Sequence, residues 1–274
     1  MLRVSVSFLQ ANMFLLSLSV ASLTEKFFNF YLISYLCYEF TINLYMIKLS
    51  IINSFLQINF VSDKKIINFY GQKMIDSAKE LYPINRSLTG EGVRQSLNLI
   101  KKNIPLKMKV FKSGKKVFDW VIPKEWNIKK AYILDLKNKK KYADFNKNNL
   151  HIVGYSHSIN KIISLDELKK HIHTDKKNKN AIPYVTSYYK KTWGFCLSQN
   201  QLKNIKNKKY KVVIDSSLKD GVMDYGETLI KGKSKKEILF SCYICHPSMV
   251  NNELSGPVIS AALIHYTNSL KNKK

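Results

Sequence analysis

The run Ile238-Leu239-Phe240-Ser241-Cys242-Tyr243-Ile244 is nearly continuous in apolar character and ends on Cys245-His246-Pro247. A strand covered on both faces of a sheet reads this way. A short polar loop, Asn251-Asn252-Glu253-Leu254-Ser255, follows, and Gly256 then opens an apolar stretch to Leu270. Val258, Ala262, Leu263 and Tyr266 fall on one side of that stretch at helical spacing. Strand, loop and helix in this order form a unit of an α/β sheet. The unit delivers His246 at the carboxyl end of a strand, where open α/β sheets place their ligands.

The rest of the chain from residue 63 onward fits around that unit. Ile67, Tyr70, Met74, Ala78 and Leu81 recur at spacings of three and four and predict a helix, ended by Pro83. Val93, Leu97, Ile100 and Ile104 predict a second, closed by Pro105. Lys107 to Lys112 alternates and reads as a strand. The middle is rich in strands, with a hairpin predicted from Ala131–Leu136 and Lys141–Phe145 around Asn138. Ser164-Leu165-Asp166-Glu167 and Ser198-Gln199-Asn200-Gln201 are capping boxes and start two short helices. Strands are predicted at Tyr210–Asp215 and Gly226–Ile230. The expected organisation is an α/β domain from residues 63–116 and 221–274, interrupted by a β-rich insertion at 117–220.

The formal net charge is +26. Its basic residues are nearly all lysine, interleaved with Asn and Ile throughout, as in Lys137-Asn138-Lys139-Lys140-Lys141. Base-reading proteins lean on arginine, so this charge predicts no specific nucleic-acid partner. Four cysteines in 274 residues form no disulfide framework and suit a reducing, cytoplasmic compartment. Residues 1–62 differ from the rest: Val4 to Thr24 carries no charge, and Phe27 to Ser62 carries only Glu39 and Lys48. Three readings of this leader stay open. It precedes the true start of the protein, with Met46 or Met74 as initiator; it is a membrane segment; or it is a signal peptide. Membrane attachment is expected only through these residues.

Cys242-x-x-Cys245-His246 spells a covalent haem attachment motif. Haem attachment requires export, and the leader is a poor signal peptide. Residues three apart on a strand also point to opposite sides. Two small buried residues is therefore the favoured reading for the cysteines, ahead of haem or a redox pair. His246 is different, because the polar loop carrying Asn252 and Glu253 follows it. Zinc takes imidazole nitrogen and carboxylate oxygen. His171 and His173, two apart on an expected helix, point to different sides; His151, on an expected strand, reads as structural, and His157 shows no partner. Trp120, Trp126 and Trp193 read as packing residues, with a binding platform as the alternative.

Several stretches together carry a family resemblance: Tyr82-Pro-Ile-Asn-Arg-Ser-Leu-Thr-Gly-Glu-Gly-Val-Arg94, Val117 to Ile128, Asn149-Leu-His-Ile-Val-Gly-Tyr155, Ile182 to Tyr189, Trp193 to Ser198, and Cys242 to Pro257. The chain resembles the bacterial aminopeptidase-like proteins linked to polysaccharide biosynthesis, a branch of the zinc-dependent exopeptidase superfamily. The resemblance covers Met74 onward. It implies part of a zinc-exopeptidase-like sheet with flanking helices, interrupted by the β-rich insertion. It implies a metalloprotease-type hydrolase that uses one or two zinc ions on a peptide or an amide-bearing small substrate, and it admits a homo-oligomer. It implies His246 as the first zinc ligand, with Asn252 at the superfamily's Asp position and Glu253 at the Asn that follows. A neutral amide cannot bridge two zinc ions as a carboxylate does. Either Glu253 supplies the carboxylate, or one zinc binds, or binding is weak.

The resemblance further implies that the catalytic Glu, another acidic ligand and a final His lie beyond Lys274. The expectation is a truncated fragment of such an enzyme, with activity dependent on those residues. The competing expectation is a non-catalytic binding or assembly module in glycan biosynthesis, whose metal site is vestigial.

Overall fold

Two four-stranded sheets, drawn from separate stretches of sequence, organise the structure, a computed structural model that describes residues 2–6, 64–233 and 236–271. The chain divides into two units. One comprises residues 1–8 and 77–274; the other comprises residues 9–76, whose described part is the helical stretch 64–76. In chain order the elements begin with strand β1 (Leu2–Val6), helices α1 (Lys64–Leu81) and α2 (Glu91–Lys101), and strand β2 (Lys107–Lys112). Strands β3 (Lys116–Val117), β4 (Trp120–Val121), β5 (Glu125–Asp135), β6 (Lys141–Tyr142) and β7 (Ile159–Ser164) follow. Helix α3 (Leu165–Lys170), strands β8 (Ile172–His173) and β9 (Phe195–Cys196), and helix α4 (Gln199–Leu202) come next. Strands β10 (Lys209–Lys219), β11 (Val222–Ile230) and β12 (Ile238–Cys242) lead to helix α5 (Ser255–Lys271).

The first sheet has the order β12-β1-β11-β2. β11 and β12 follow one another in sequence, yet β1 lies between them, antiparallel to β11 and parallel to β12. β12 is thus an edge. The predicted strand forms there, but it is not covered on both faces: Ile238 is 41% exposed and Leu239 is 64% exposed. Among the described residues one neighbouring strand and α5 shield it, and Ile238 and Leu239 at its amino end stay exposed.

The second sheet is antiparallel, in the order β6-β5-β10-β7. Tyr210, Val212 and Ile214 alternate along β10 and pair with Asp135, Ile133 and Ala131 of β5. They are at most 1% exposed and centre a core that includes Leu168, Phe195 and Leu197. Trp126 stacks on Tyr155 with ring centroids 5.7 Å apart and donates Nε1–H to the Ser156 carbonyl at 2.9 Å. Trp126 is therefore a core residue whose polar edge is satisfied.

The hairpin forms through Ile133 opposite Tyr142. Ser198 and Gln201 make a reciprocal capping box, while Ser164 accepts only from Glu167 N–H. Glu167 instead turns to Lys170 and His171. α3 is shorter than expected because Ile172-His173 pair in parallel with Phe195-Cys196. His171 caps the helix and stacks on Trp193 at 3.7 Å, so the two histidines do not share a helix. His151 sits in a 3-10 turn rather than a strand, and His157 does have a partner, the Thr192 carbonyl at 2.8 Å. The leader readings fall outside the described residues apart from 2–6. Among the described residues no helix is long and apolar enough to cross a membrane.

Arg94 joins the two sheets through α2. Its guanidinium reaches Glu91 at 3.0 Å, Glu125 of β5 at 2.6 Å and Asp224 of β11 at 2.8 Å. Glu125 and Asp224 are nearly buried. Burial opposes ionisation of Glu125, yet the bonds from Arg94, Val222 N–H and Asn127 outweigh it and hold the carboxyl below its usual range. For Asp224, burial prevails over Arg94 and the pKa is raised. Gly90, just ahead of α2, has φ of 105°, and a Cβ there would stand 2.3 Å from the Trp126 carbonyl. Only glycine lets the helix start so close to β5.

Removing one partner of a buried ion pair strands the other. Arg94→Met is expected to cost about 3–5 kcal/mol, with Arg94→Lys recovering only part of it because an ammonium cannot fork between Glu125 and Asp224; chemical denaturation measures both. A second expectation concerns His151, which is 6% exposed with Nδ1–H on the Cys196 carbonyl at 2.8 Å. Burial lowers its pKa, opposed in part by that bond and by Asp144. The unfolded chain then binds more protons than the folded one below about pH 6.5, so stability falls as pH drops through that value. Thermal midpoints at pH 7.5 and 5.5 should fall further for the wild-type chain than for His151→Gln.

Candidate metal centre

Beyond β12 the chain stays extended to His246. Cys242 faces α5, with Sγ 3.7 Å from Ser260 Oγ. The first turn of α5 comes so close that a Cβ on Gly256 would lie 2.7 Å from the Cys242 Cβ. Cys245 has different neighbours, and both thiols are free. Pro247 redirects the chain, and Ser248 takes a left-handed conformation with φ of 47°. The Ser248 hydroxyl donates to Asn149 Oδ1, from the turn before β7, which holds this strained residue in place. A wide π-type turn, Val250–Leu254, then returns Glu253 to His246.

Glu253 is 1% exposed and His246 is 9% exposed. Glu253 Oε1 accepts from the His246 backbone N–H at 2.7 Å, and Oε2 lies 2.8 Å from His246 Nδ1. Cys245 Sγ is 3.2 Å from the same nitrogen. Thiol, imidazole and carboxylate ligating atoms all lie within 4.8 Å of one another, and among the described residues they are the one such group of three or more His, Cys, Asp or Glu side chains. Asn252 is exposed on the preceding step of the turn. The structure thus brings His246 and Glu253 together, adds Cys245, and leaves Asn252 at the surface.

Other segments enclose the group. Arg86 is 1% exposed; its Nε–H donates to the His246 carbonyl at 3.1 Å and Nη1 donates to the Leu81 carbonyl. Its Nη2 has no partner among the described residues. Burial brings the Arg86 pKa down to about 10, and the nearby Glu253 and Cys245 partly offset that. Tyr184 and Tyr243 rings stand edge-on to His246 at 4.9 and 5.5 Å. Burial also pushes the Cys245 thiol up, Glu253 pushes it further, and Arg86 acts the other way.

These facts discriminate between chemistries. A thiol nucleophile needs a lowered pKa and a base that contacts thiol and carboxylate through opposite ring nitrogens. Here the thiol is raised and both partners share Nδ1, so the group is no thiol relay. A soft thiol, an imidazole and a carboxylate converging on one point match the donor set zinc takes. Ligands about 2.0–2.3 Å from a tetrahedral ion stand roughly 3.3–3.6 Å apart, so the His246–Glu253 contact must open by about half an ångström to admit one. Cys245 went unrecognised in the sequence because its neighbours made it read as a packing residue. Its adjacency to His246 was the available signal, and for Arg86 it was the rarity of arginine.

The comparisons with known proteins follow the same residues. A family model described as "Domain of unknown function (DUF4910)" matches residues 75–274. A protein of Clostridium acetobutylicum, named "Putative polysaccharide biosynthesis protein with aminopeptidase-like domain", is 49% identical over 203 residues, covering 74% of this chain and 46% of that protein. A crystal structure from C. acetobutylicum, titled as a "putative peptidase", superposes with a TM-score of 0.72 at 48% identity, over 75% of this chain and 49% of that one. The chain therefore spans about half the length of the relatives it matches. It belongs to the DUF4910 family and is a homologue of these aminopeptidase-like Clostridium proteins.

Proposed function

We propose that the chain carries the first part of a zinc-dependent aminopeptidase-like hydrolase, and that Cys245, His246 and Glu253 supply ligands to its metal. The observation that carries this reading is the convergence of three chemically suitable donors at a nearly buried site where β12 ends. A divalent ion held there would supply Lewis acidity toward a peptide or amide carbonyl. The chain's own residues do the rest of the positioning. Glu253 fixes the imidazole, Arg86 fixes the carbonyl behind it, and Tyr184 walls the site and keeps water from its side. In this reading Asn252, exposed beside Glu253, would contribute an amide oxygen to a second ion. A role in polysaccharide biosynthesis, as named for the Clostridium relative, is part of the proposal, as are cytoplasmic localisation and completion of the catalytic set by residues outside this stretch.

One observation favours a variant of the metal reading. Both Glu253 oxygens are already committed to His246. A carboxylate that accepts Nδ1–H commonly orients an imidazole whose Nε2 binds the metal. In that arrangement Glu253 and Cys245 are supports and not ligands.

Titration of the full chain with Zn²⁺ and Co²⁺ tests both. Zinc at about 100 times its dissociation constant should add about 2.7 kcal/mol to stability, and His246→Ala should abolish binding; unchanged binding in that variant ends the metal reading. A thiolate-to-cobalt absorption band that vanishes in Cys245→Ser identifies Cys245 as a ligand. A cobalt spectrum indifferent to Cys245→Ser, with binding roughly 10–100-fold weaker in Glu253→Gln, identifies the orienting arrangement.

A further inference from the structure

We infer that the cleft between the Pro83–Gly92 segment and the start of β5 binds a neutral, hydroxyl-rich ring of the kind a sugar residue presents. The cleft holds about 450 Å³, within the roughly 300–1,000 Å³ of small-molecule sites. Pro83, Ile128 and Phe145 give it apolar surface, and Asn85, Gln95 and Asn127 give it amides. A pyranose has the matching division, with C–H groups on its faces and hydroxyls around its edge.

The charge pattern narrows the ligand class. Lys and Arg account for 45 of 274 residues, yet none of the described ones lines this cleft. Its one formal charge, Glu91, is already paired with Arg94 at 3.0 Å. A phosphate or nucleotide would find no counter-charge there, although the chain as a whole is strongly basic. Neutral polar groups are on offer instead. The Asn85 and Gln95 side chains make no hydrogen bond to the described residues, whereas the Ser87 hydroxyl is engaged by the Thr89 carbonyl and the Tyr155 hydroxyl.

The walls are set before any ligand arrives, which lowers the cost of binding. Asn127 accepts from Glu91 N–H at 2.7 Å and donates to Glu125 at 3.1 Å. Thr89 Oγ1 accepts from Trp126 N–H at 3.3 Å and lies 2.6 Å from the Tyr155 hydroxyl. The cleft is separate from the metal group. Asn85 and Ser87 line it, while Arg86, between them, faces His246.

Saturation-transfer NMR on the full chain tests the assignment, with methyl β-glucopyranoside, methyl β-galactopyranoside and N-acetylglucosamine as probes, and inorganic phosphate and AMP as anionic counterparts. Transfer from at least one neutral sugar is expected. Its affinity should drop about tenfold or more, on the order of 1.4 kcal/mol, in Asn85→Ala and in Gln95→Trp. Gln95 is exposed on α2, so that bulky residue narrows the mouth without entering the core. The thermal midpoint should be unchanged in both. No transfer from any sugar, sugar affinity unaltered in both variants, or preferred binding of phosphate or AMP would overturn the inference.

Discussion

One guanidinium, that of Arg94, holds the architecture in register. Helix α2 projects it between the amino ends of β5 and β11, and it meets a carboxylate from each. Without a cation there, two nearly buried carboxylates would face each other across the junction of the sheets. The planar fork can serve both at once, which a lysine cannot. The chain has only three arginines, Arg3, Arg86 and Arg94, against a background of lysine. Both of those beyond the leader sit where a buried, multi-directional donor is needed, whereas lysine carries the surface charge.

Arg86 is the second such case. Its bond to the His246 carbonyl ties the loop of the candidate metal centre to the end of α1, and Asn149 ties the same loop, through Ser248, to the β-rich part of the chain. The loop that carries His246 is thus fixed by two separate stretches of sequence besides its own. A guanidinium beside a carboxylate and a thiol also sets the charge of the site.

Much of this fold was legible because local signals and tertiary context agree in it. The spacing of Ile67 to Leu81, the alternation of Lys107 to Lys112 and the box at Ser198 to Gln201 each act over a few residues and are realised as read. The misreadings arose where partners distant in sequence decide. Ile238 and Leu239 look like buried strand residues, but the sheet order places them on an edge. His171 and His173 look helical, but pairing of Ile172-His173 with Phe195-Cys196 ends α3 before them. Within the Cys245, His246 and Glu253 group, the approach of Glu253 to His246 was legible from strand, loop and helix order. Cys245 was not, because a small apolar-looking residue beside a buried strand carries no mark of the imidazole and carboxylate that will surround it.

The segment Asn85-Arg86-Ser87 serves two purposes. Arg86 reaches the His246 loop, and its two neighbours line the cleft beside Trp126. Such a segment cannot shift along its own axis without disturbing both sides. Thr89 and Gly90 prevent that shift, the first by bonding to the β5 backbone and to Tyr155, the second by admitting the Trp126 carbonyl where any side chain would collide. A ligand that pulls on Asn85 or Ser87 therefore works against the same fixed points that hold Arg86. Cleft and His246 loop thus share one stretch of backbone, with a guanidinium as the contact between them.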